Sequence, residues 1–176
     1  MTGSYSAGTA AVDPAELAWL QAERDRIRAA YLQPRDDRPP SSARGVHHVA
    51  LICADVERTT RFYQEVLGFP LTSMFENRDL KGSTHFFFDL GNGNTIAFFD
   101  LPGVNPSTYS EVLGGLHHLA ISIEMEHWKQ AKGRLDQHGV PYDHVDETSL
   151  YFRGPDGERL ELIADPLRWM YGERVD

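Results

Sequence analysis

The sequence predicts an α+β fold: two βαβββ modules whose strands form a cupped mixed sheet, preceded by an N-terminal helical extension. Three observations predict it. Gly45-Val46-His47-His48-Val49-Ala50-Leu51 returns as Gly115-Leu116-His117-His118-Leu119-Ala120-Ile121, with four identities and three exchanges of one aliphatic for another. Self-similarity of this kind marks a repeated structural unit. After each copy the pattern runs in the same order, a strand, a helix, then three strands. The last two strands of each copy flank a glycine turn, and laying Gly157 on Gly93 aligns the two hairpins.

The elements follow in order. Residues 1–12 are small and polar, a composition expected to be disordered. Asp13-Pro14 reads as an N-cap with proline in the first turn. Leu17, Leu20, Ile27, Ala30 and Tyr31 then recur at helical spacing, predicting an amphipathic helix over Pro14 to Leu32. Pro34 to Arg44 is a linker, so residues 1–44 form an extension outside the repeat. Module one spans 45–110. Val46 to Cys53 is a strand, and Asp55 caps a helix through Leu67 that Gly68 stops. Strands follow near Leu71 to Glu76, His85 to Leu90 and Thr95 to Asp100, the last two joined across Gly91-Asn92-Gly93-Asn94. Pro102 to Ser110 is a crossover loop. Module two spans 115–166. His117 to Ile123 is a strand, and Glu126 to His138 a helix with Trp128, Ala131 and Leu135 inward, ended by Gly139. A strand near Tyr142 to Val145 precedes a hairpin of Leu150 to Arg153 and Arg159 to Ala164 across Pro155-Asp156-Gly157. The tail, 167–176, carries Trp169, Met170 and Tyr171, an aromatic cluster expected to pack on the body or on a second subunit.

Bulk properties exclude several functions. The net charge of -9 argues against nucleic acid or an anionic membrane surface as the main partner. No run of about 18 apolar residues is present, and no secretory signal is visible. The single Cys53 excludes an intramolecular disulfide framework. These features predict a cytoplasmic protein.

The repeat also carries chemistry. Alternate side chains of a strand face opposite sides. His48, Ala50 and Ile52 therefore share one face, His118, Ala120 and Ser122 the equivalent one, and His47 and His117 point the other way. Parity alone does not say which histidine of each pair faces the concave side. Two modules related by a pseudo-twofold axis would bring one imidazole from each to a common point. Glu161 adds a carboxylate within the apolar run Leu160-Glu161-Leu162-Ile163-Ala164, where burial is costly unless the group is paired or coordinated. The alternative reading of Glu161 is a solvent-facing residue on a half-buried strand. Its counterpart in module one, by the glycine alignment, is Ala97. Two imidazoles and one carboxylate form the facial triad of non-haem Fe(II) enzymes, and Mn(II) or another divalent ion fits the same donors. No HExxH and no paired cysteines are present, so neither a zincin nor a structural zinc site is indicated.

These residues resemble the vicinal oxygen chelate superfamily, which includes glyoxalase I, fosfomycin-resistance enzymes, bleomycin-resistance proteins and type I extradiol dioxygenases. The resemblance covers about Gly45 to Pro166. It rests on His48-Val49-Ala50-Leu51, on Arg61-Phe62-Tyr63 with Val66-Leu67-Gly68-Phe69, on His118-Leu119-Ala120-Ile121, and on Gly154-Pro155-Asp156-Gly157 leading into Leu160-Glu161-Leu162. It implies metal ligation by His48, His118 and Glu161. Ala97 stands where glyoxalase I supplies a fourth ligand, which disfavours that chemistry, and the intact triad disfavours a metal-free bleomycin-binding module.

The resemblance is nearest to single-domain extradiol dioxygenases. Tyr151 stands ten residues before Glu161, where those enzymes place a tyrosine near substrate and oxygen. His144 lies near an active-site histidine of that group. Thr84-His85-Phe86 and Asn94-Thr95-Ile96-Ala97 resemble its strand pair. Asn94 departs from it, because many extradiol enzymes carry an acid/base histidine there; His85 or His144 would then substitute. Arg78, Lys81 and Arg153 are the cations available to a fosfomycin-type site. The resemblance thus implies an Fe(II)-dependent extradiol ring-cleaving dioxygenase acting on a small aromatic diol with O2, as a homodimer. Alternatives are a fosfomycin-type thiol transferase or glyoxalase-like enzyme, and a metal-free binding protein.

Overall fold

In the computed structural model, which describes residues 13–103, 109–170 and 172–175, the chain divides into two compact units that meet between Arg44 and Gly45. The expected disorder of 1–12, the middle of the crossover loop and Tyr171 lie outside the described residues. The first unit carries α1 (Pro14–Tyr31). Asp13 caps it by accepting a hydrogen bond from the Ala15 N–H at 3.2 Å, and Pro14 sits in the first turn, where its missing N–H is harmless. None of its residues is buried.

The second unit holds the repeat. Module one comprises β1 (His48–Cys53), α2 (Val56–Arg61), β2 (Leu71–Glu76), β3 (Thr84–Asp89) and β4 (Thr95–Asp100); module two comprises β5 (Leu119–Ser122), α3 (Met125–Gln137), β6 (Tyr142–Val145), β7 (Ser149–Arg153) and β8 (Arg159–Ile163). The strands form two four-stranded mixed sheets, ordered β1-β4-β3-β2 and β5-β8-β7-β6. In each, the first strand runs parallel to the last and the other pairings are antiparallel. The tail adds a small hairpin, β9 (Trp169–Met170) with β10 (Glu173–Arg174). No helix among the described residues is long and apolar enough to cross a membrane.

Register confirms the glycine alignment. Ala50 pairs with Ala97 in sheet one, and Ala120 pairs with Glu161 in sheet two. Ala97 and Glu161 are thus equivalent positions. Further along, Phe87 answers to Tyr151 and His85 to Ser149.

Alternation gives each sheet two unlike faces. One set of alternate residues, including Cys53, Phe86, Phe88, Ile96 and Phe98 in sheet one and Ile121, Leu150, Phe152, Leu160 and Leu162 in sheet two, joins a single core with the helices. Trp128, Ala131 and Leu135 of α3 are buried in it, as expected from their spacing. The other faces carry His48, Ala50 and Ile52, and Ala120 and Ser122, all exposed.

The helix of module one, α2, is not regular to its end. After Arg61 the backbone widens into a π-helical segment, Phe62–Leu67, which buries Tyr63, Val66 and Leu67. Such segments rarely extend beyond a turn and persist where tertiary contacts hold them. Here Arg134 of α3 donates to the carbonyls of Val66 at 2.7 Å and Leu67 at 3.0 Å. Gly68 then turns with φ +84°, and a β-carbon there would lie 2.9 Å from the Arg134 guanidinium. Both the left-handed turn and the close approach require glycine.

Candidate functional site

Sheet two gathers the polar residues. On β8, Glu161 has apolar neighbours in sequence yet belongs, by alternation, to the face away from the helices. It is nevertheless only 1% exposed. Ser149 on β7 donates its hydroxyl to Glu161 Oε1 at 2.8 Å. Glu161 Oε2 lies 3.0 Å from His118 Nε2 but is buried without a well-formed hydrogen bond. The two atoms are in close contact, but their alignment does not suit a hydrogen bond. A buried carboxylate oxygen of this kind is poised to accept a ligand. Tyr151, directly across from Glu161, sets its ring edge-on to His118 with centroids 5.5 Å apart. Arg159, two residues before Glu161, places its guanidinium 5.2 Å from the Tyr151 ring centroid and 3.7 Å from Glu111. Arg153 lies across from Arg159, 5.7 Å from the Tyr109 ring.

Sheet one presents an aromatic surface at the equivalent place. His85 stacks on Phe99 with centroids 3.8 Å apart and lies 4.3 Å from Phe87 and 5.4 Å from Phe75. Its Nε2 is buried without a hydrogen-bond partner. Burial, and then the nearby His48, hold its pKa below the ordinary imidazole value. His48 stands 6.3 Å from Phe87.

His144 lies on the helix side of β6. It pairs with core-facing Leu150, whereas Tyr151 pairs with Asp143, and its ring packs 5.3 Å from Trp128 of α3. Alternation on β6 forces this. Asn94 closes the β3–β4 turn, its side-chain amide donating to the Gly91 carbonyl at 3.1 Å. Parity holds within β1, where His48 shares the exposed face of Ala50 and Ile52. His47 and His117 precede the strands, and each turns its Nδ1 toward the Nδ1 of its neighbour, at 2.9 Å for His47–His48 and 2.6 Å for His117–His118. Arg78 is engaged with Asp79 at 2.8 Å in an exposed loop.

The implied triad is brought together only in part. His118 and Glu161 meet, but among the described residues no group of three His, Cys, Asp or Glu side chains is placed to hold a metal ion. His48 therefore does not join the pair within one chain. Ser149 and Arg159 were missed from the sequence. Their positions, twelve and two residues before Glu161 on strands whose register now aligns them, were the available signal.

A second polar cluster joins the modules. Glu158, buried, accepts from the Tyr63 hydroxyl at 2.9 Å and from the Asp156 N–H at 2.9 Å. Burial raises the Glu158 carboxyl above its ordinary pKa and pushes the Tyr63 hydroxyl well up. Arg58 of α2 bridges to Asp156 at 2.5 Å.

Comparison with known proteins agrees with this architecture. Residues 45–162 match the family model "Glyoxalase/Bleomycin resistance protein/Dioxygenase superfamily". Over 139 residues the chain is 26% identical to "Putative ring-cleaving dioxygenase MhqA" of Bacillus subtilis, covering 73% of this chain and 42% of that protein. The chain thus spans less than half the length of that relative. A glyoxylase/bleomycin resistance protein/dioxygenase domain from Frankia sp. EAN1pec superposes with TM-score 0.61 at 25% identity, covering 71% of this chain and all of that one. A fosfomycin resistance protein, FosX, of Listeria monocytogenes, in complex with Mn(II) and a dihydroxypropylphosphonic acid, gives TM-score 0.55 at 25% identity, covering 71% and 95%.

Proposed function

The chain belongs to the Glyoxalase/Bleomycin resistance protein/Dioxygenase superfamily, and we propose that it is a metal-dependent oxidoreductase, an Fe(II) extradiol dioxygenase that cleaves a catechol-like ring with O2. One observation carries the reading: buried Glu161 offers an unsatisfied carboxylate oxygen beside the imidazole nitrogen of His118. One nitrogen and one carboxylate oxygen are two of the three donors of a facial triad. His118 and Glu161 would hold the ion, with His48 as third ligand. Since His48 does not reach the pair within one chain, it would come from a second copy, and a homodimer would form the complete site.

A divalent ion there supplies Lewis acidity toward two vicinal oxygens and, as Fe(II), electron transfer to O2. The protein's own groups do the rest. Ser149 fixes the rotamer of Glu161. The Tyr151 hydroxyl, borne on the same face, would orient the substrate and hold a proton at its phenolic oxygen. Phe87, Phe99 and His85 would give the aromatic ring a flat apolar wall.

The test is anaerobic purification, iron analysis, and addition of catechols with O2. Yellow ring-fission product that disappears in Glu161→Ala supports the reading, and absence of colour after Fe(II) reconstitution overturns it. Mixing His48→Ala with Glu161→Ala protein separates the dimer arrangement from a single-chain site. Hybrid dimers with a shared site keep one intact centre, so random exchange would recover about a quarter of wild-type activity. A single-chain site recovers none.

Arg159 and Arg153 favour a second reading, a thiol transferase acting on an anionic substrate such as a phosphonate. It predicts turnover with Mn(II) and a thiol, independent of O2.

A further inference from the structure

We propose that Arg153 and Arg159 form a carboxylate subsite, so that the aromatic diol taken here carries a carboxylate on a short side chain. The proposal rests on the reading of the site as one for an aromatic diol.

Strand register places the subsite. Arg153 and Arg159 stand directly opposite each other across β7 and β8, and Tyr151 and Glu161 stand opposite each other two residues further along. Residues two apart in a strand share a face, so all four belong to one face, while Phe152 and Leu160 between them are buried in the core. The arginine pair lies about 7 Å along the strands from the Tyr151–Glu161 pair. A ring held at Tyr151 and Glu161 therefore points its far end at two cations. Module one has no such pair. Asp89 and Thr95 stand opposite each other at the equivalent positions, so an acid occupies the place that Arg153 takes in module two.

Two like charges directly opposite in an antiparallel pair cost stability. Their surroundings hold them there. The Arg159 guanidinium lies over the Tyr151 ring at 5.2 Å, and that of Arg153 over the Tyr109 ring at 5.7 Å. Tyr109 is itself fixed, its hydroxyl donating to the His117 carbonyl at 3.3 Å. Arg153 Nη1 donates to the Gly157 carbonyl at 2.9 Å, and Arg159 Nη1 lies 3.5 Å from His117 Nε2. Stacking on a ring engages the face of a guanidinium and leaves its edge, the part that matches a carboxylate, to other groups. Arg159 already meets a carboxylate there. Glu111 Oε1 stands 3.7 Å from its Nη1, too far for a hydrogen bond. The Glu111 side chain is 39% exposed, against 19% for Arg159. An exposed, loosely held carboxylate beside a mostly buried guanidinium marks the chemistry that fits. A ligand carboxylate displaces Glu111, bridges the two guanidiniums and relieves the repulsion between them.

The probes are dihydrocaffeic acid and its methyl ester, which share ring and diol and differ in charge. Isothermal titration of the full-length protein, metal-free and with Zn(II), measures each affinity without turnover. The acid binds about tenfold or more tighter than the ester, the range for a hydrogen bond with a charged partner. Arg153→Met or Arg159→Met lowers that ratio by about tenfold, and Arg159→Lys, with the charge but not the fork, falls between. Glu111→Gln removes the competitor and raises the ratio by about threefold, the size of an exposed ion pair; misfolding does not produce such a gain. A wild-type ratio near one, or a ratio unmoved in Glu111→Gln and in both methionine variants, overturns the subsite. Methylphosphonate displacing the acid at a lower concentration than acetate does assigns the pair to a phosphonate and overturns the carboxylate. The two readings fail separately. A charge preference that holds while Zn(II) changes neither affinity and no ring-fission product forms overturns the dioxygenase reading and keeps the carboxylate subsite. Yellow product with equal binding of acid and ester overturns the subsite alone.

Discussion

Ser149→Ala tests whether the candidate site is held as the structure describes. Ser149 is 8% exposed, and its hydroxyl gives Glu161 Oε1 a hydrogen bond of 2.8 Å. Losing one oxygen atom creates almost no cavity, so the effect isolates the hydrogen bond. It leaves Oε1 buried without a donor, on a carboxylate whose Oε2 already lacks a well-formed hydrogen bond. Stranding a buried polar group costs about 1–3 kcal/mol, with charged groups toward the upper end. We expect about 2 kcal/mol. That corresponds to a fall of about 4–8 °C in Tm for a chain of this size, and of about 1 M in the urea midpoint. The assay is urea unfolding of the metal-free full chain, followed by circular dichroism. In a Glu161→Leu background, where the acceptor is gone, the same substitution should cost little, since removing both partners is close to neutral. Equal losses in the two backgrounds, or a loss below about 0.5 kcal/mol in the wild type, would refute the view that Ser149 orients the carboxylate.

Other consequences are equally open to measurement. Tyr63→Phe keeps the ring between Phe88 and Phe98, at 5.3 and 4.8 Å, but removes the donor to buried Glu158; chemical denaturation should show a loss of about 1–3 kcal/mol, and none would place that hydroxyl's partner elsewhere. Because burial raises the folded-state pKa of Glu158 above 4.5, its neutral form favours the fold; that contribution is full below the unfolded pKa and is lost as pH rises through the raised value. Wild type should therefore lose stability relative to Glu158→Gln as pH is raised above about 4.5, and parallel pH curves would remove Glu158 from the account. Burial pushes the Cys53 thiol up to about 11, so native protein at pH 8 should resist a thiol-titrating disulfide reagent until denatured; rapid native labelling would contradict its burial. His144→Ala should leave metal binding unchanged, since the ring packs on Trp128; a loss of metal would return His144 to the site.

Much of the arrangement was legible locally. A seven-residue repeat and two glycine turns made Ala97 the counterpart of Glu161, and strand register agrees because pleating and turn geometry are set by adjacent residues. The same local reasoning placed His48 with Ala50 and Ile52 on one face of β1, and it reached no further than the ladder. His47 and His117 lie outside the ladders, where alternation is no longer enforced, and their rings turned toward their neighbours. The expected α-helix from Asp55 to Leu67 was right in extent and wrong in its last turns, since the π segment is stabilised by Arg134, a residue 67 positions beyond Leu67.

The sequence by itself determined the doubled βαβββ plan, the faces of the strands and the chemistry of the candidate donors, because these depend on the spacing of side chains along one segment. Tertiary structure alone decided which donors meet. It placed Ser149 on Glu161, Arg159 beside His117, and His144 against Trp128, and it kept His48 from joining the His118–Glu161 pair within one chain. Those outcomes depend on how strands distant in sequence align and how the modules pack on one shared core. Periodicity reports which face a residue occupies, not what stands opposite it.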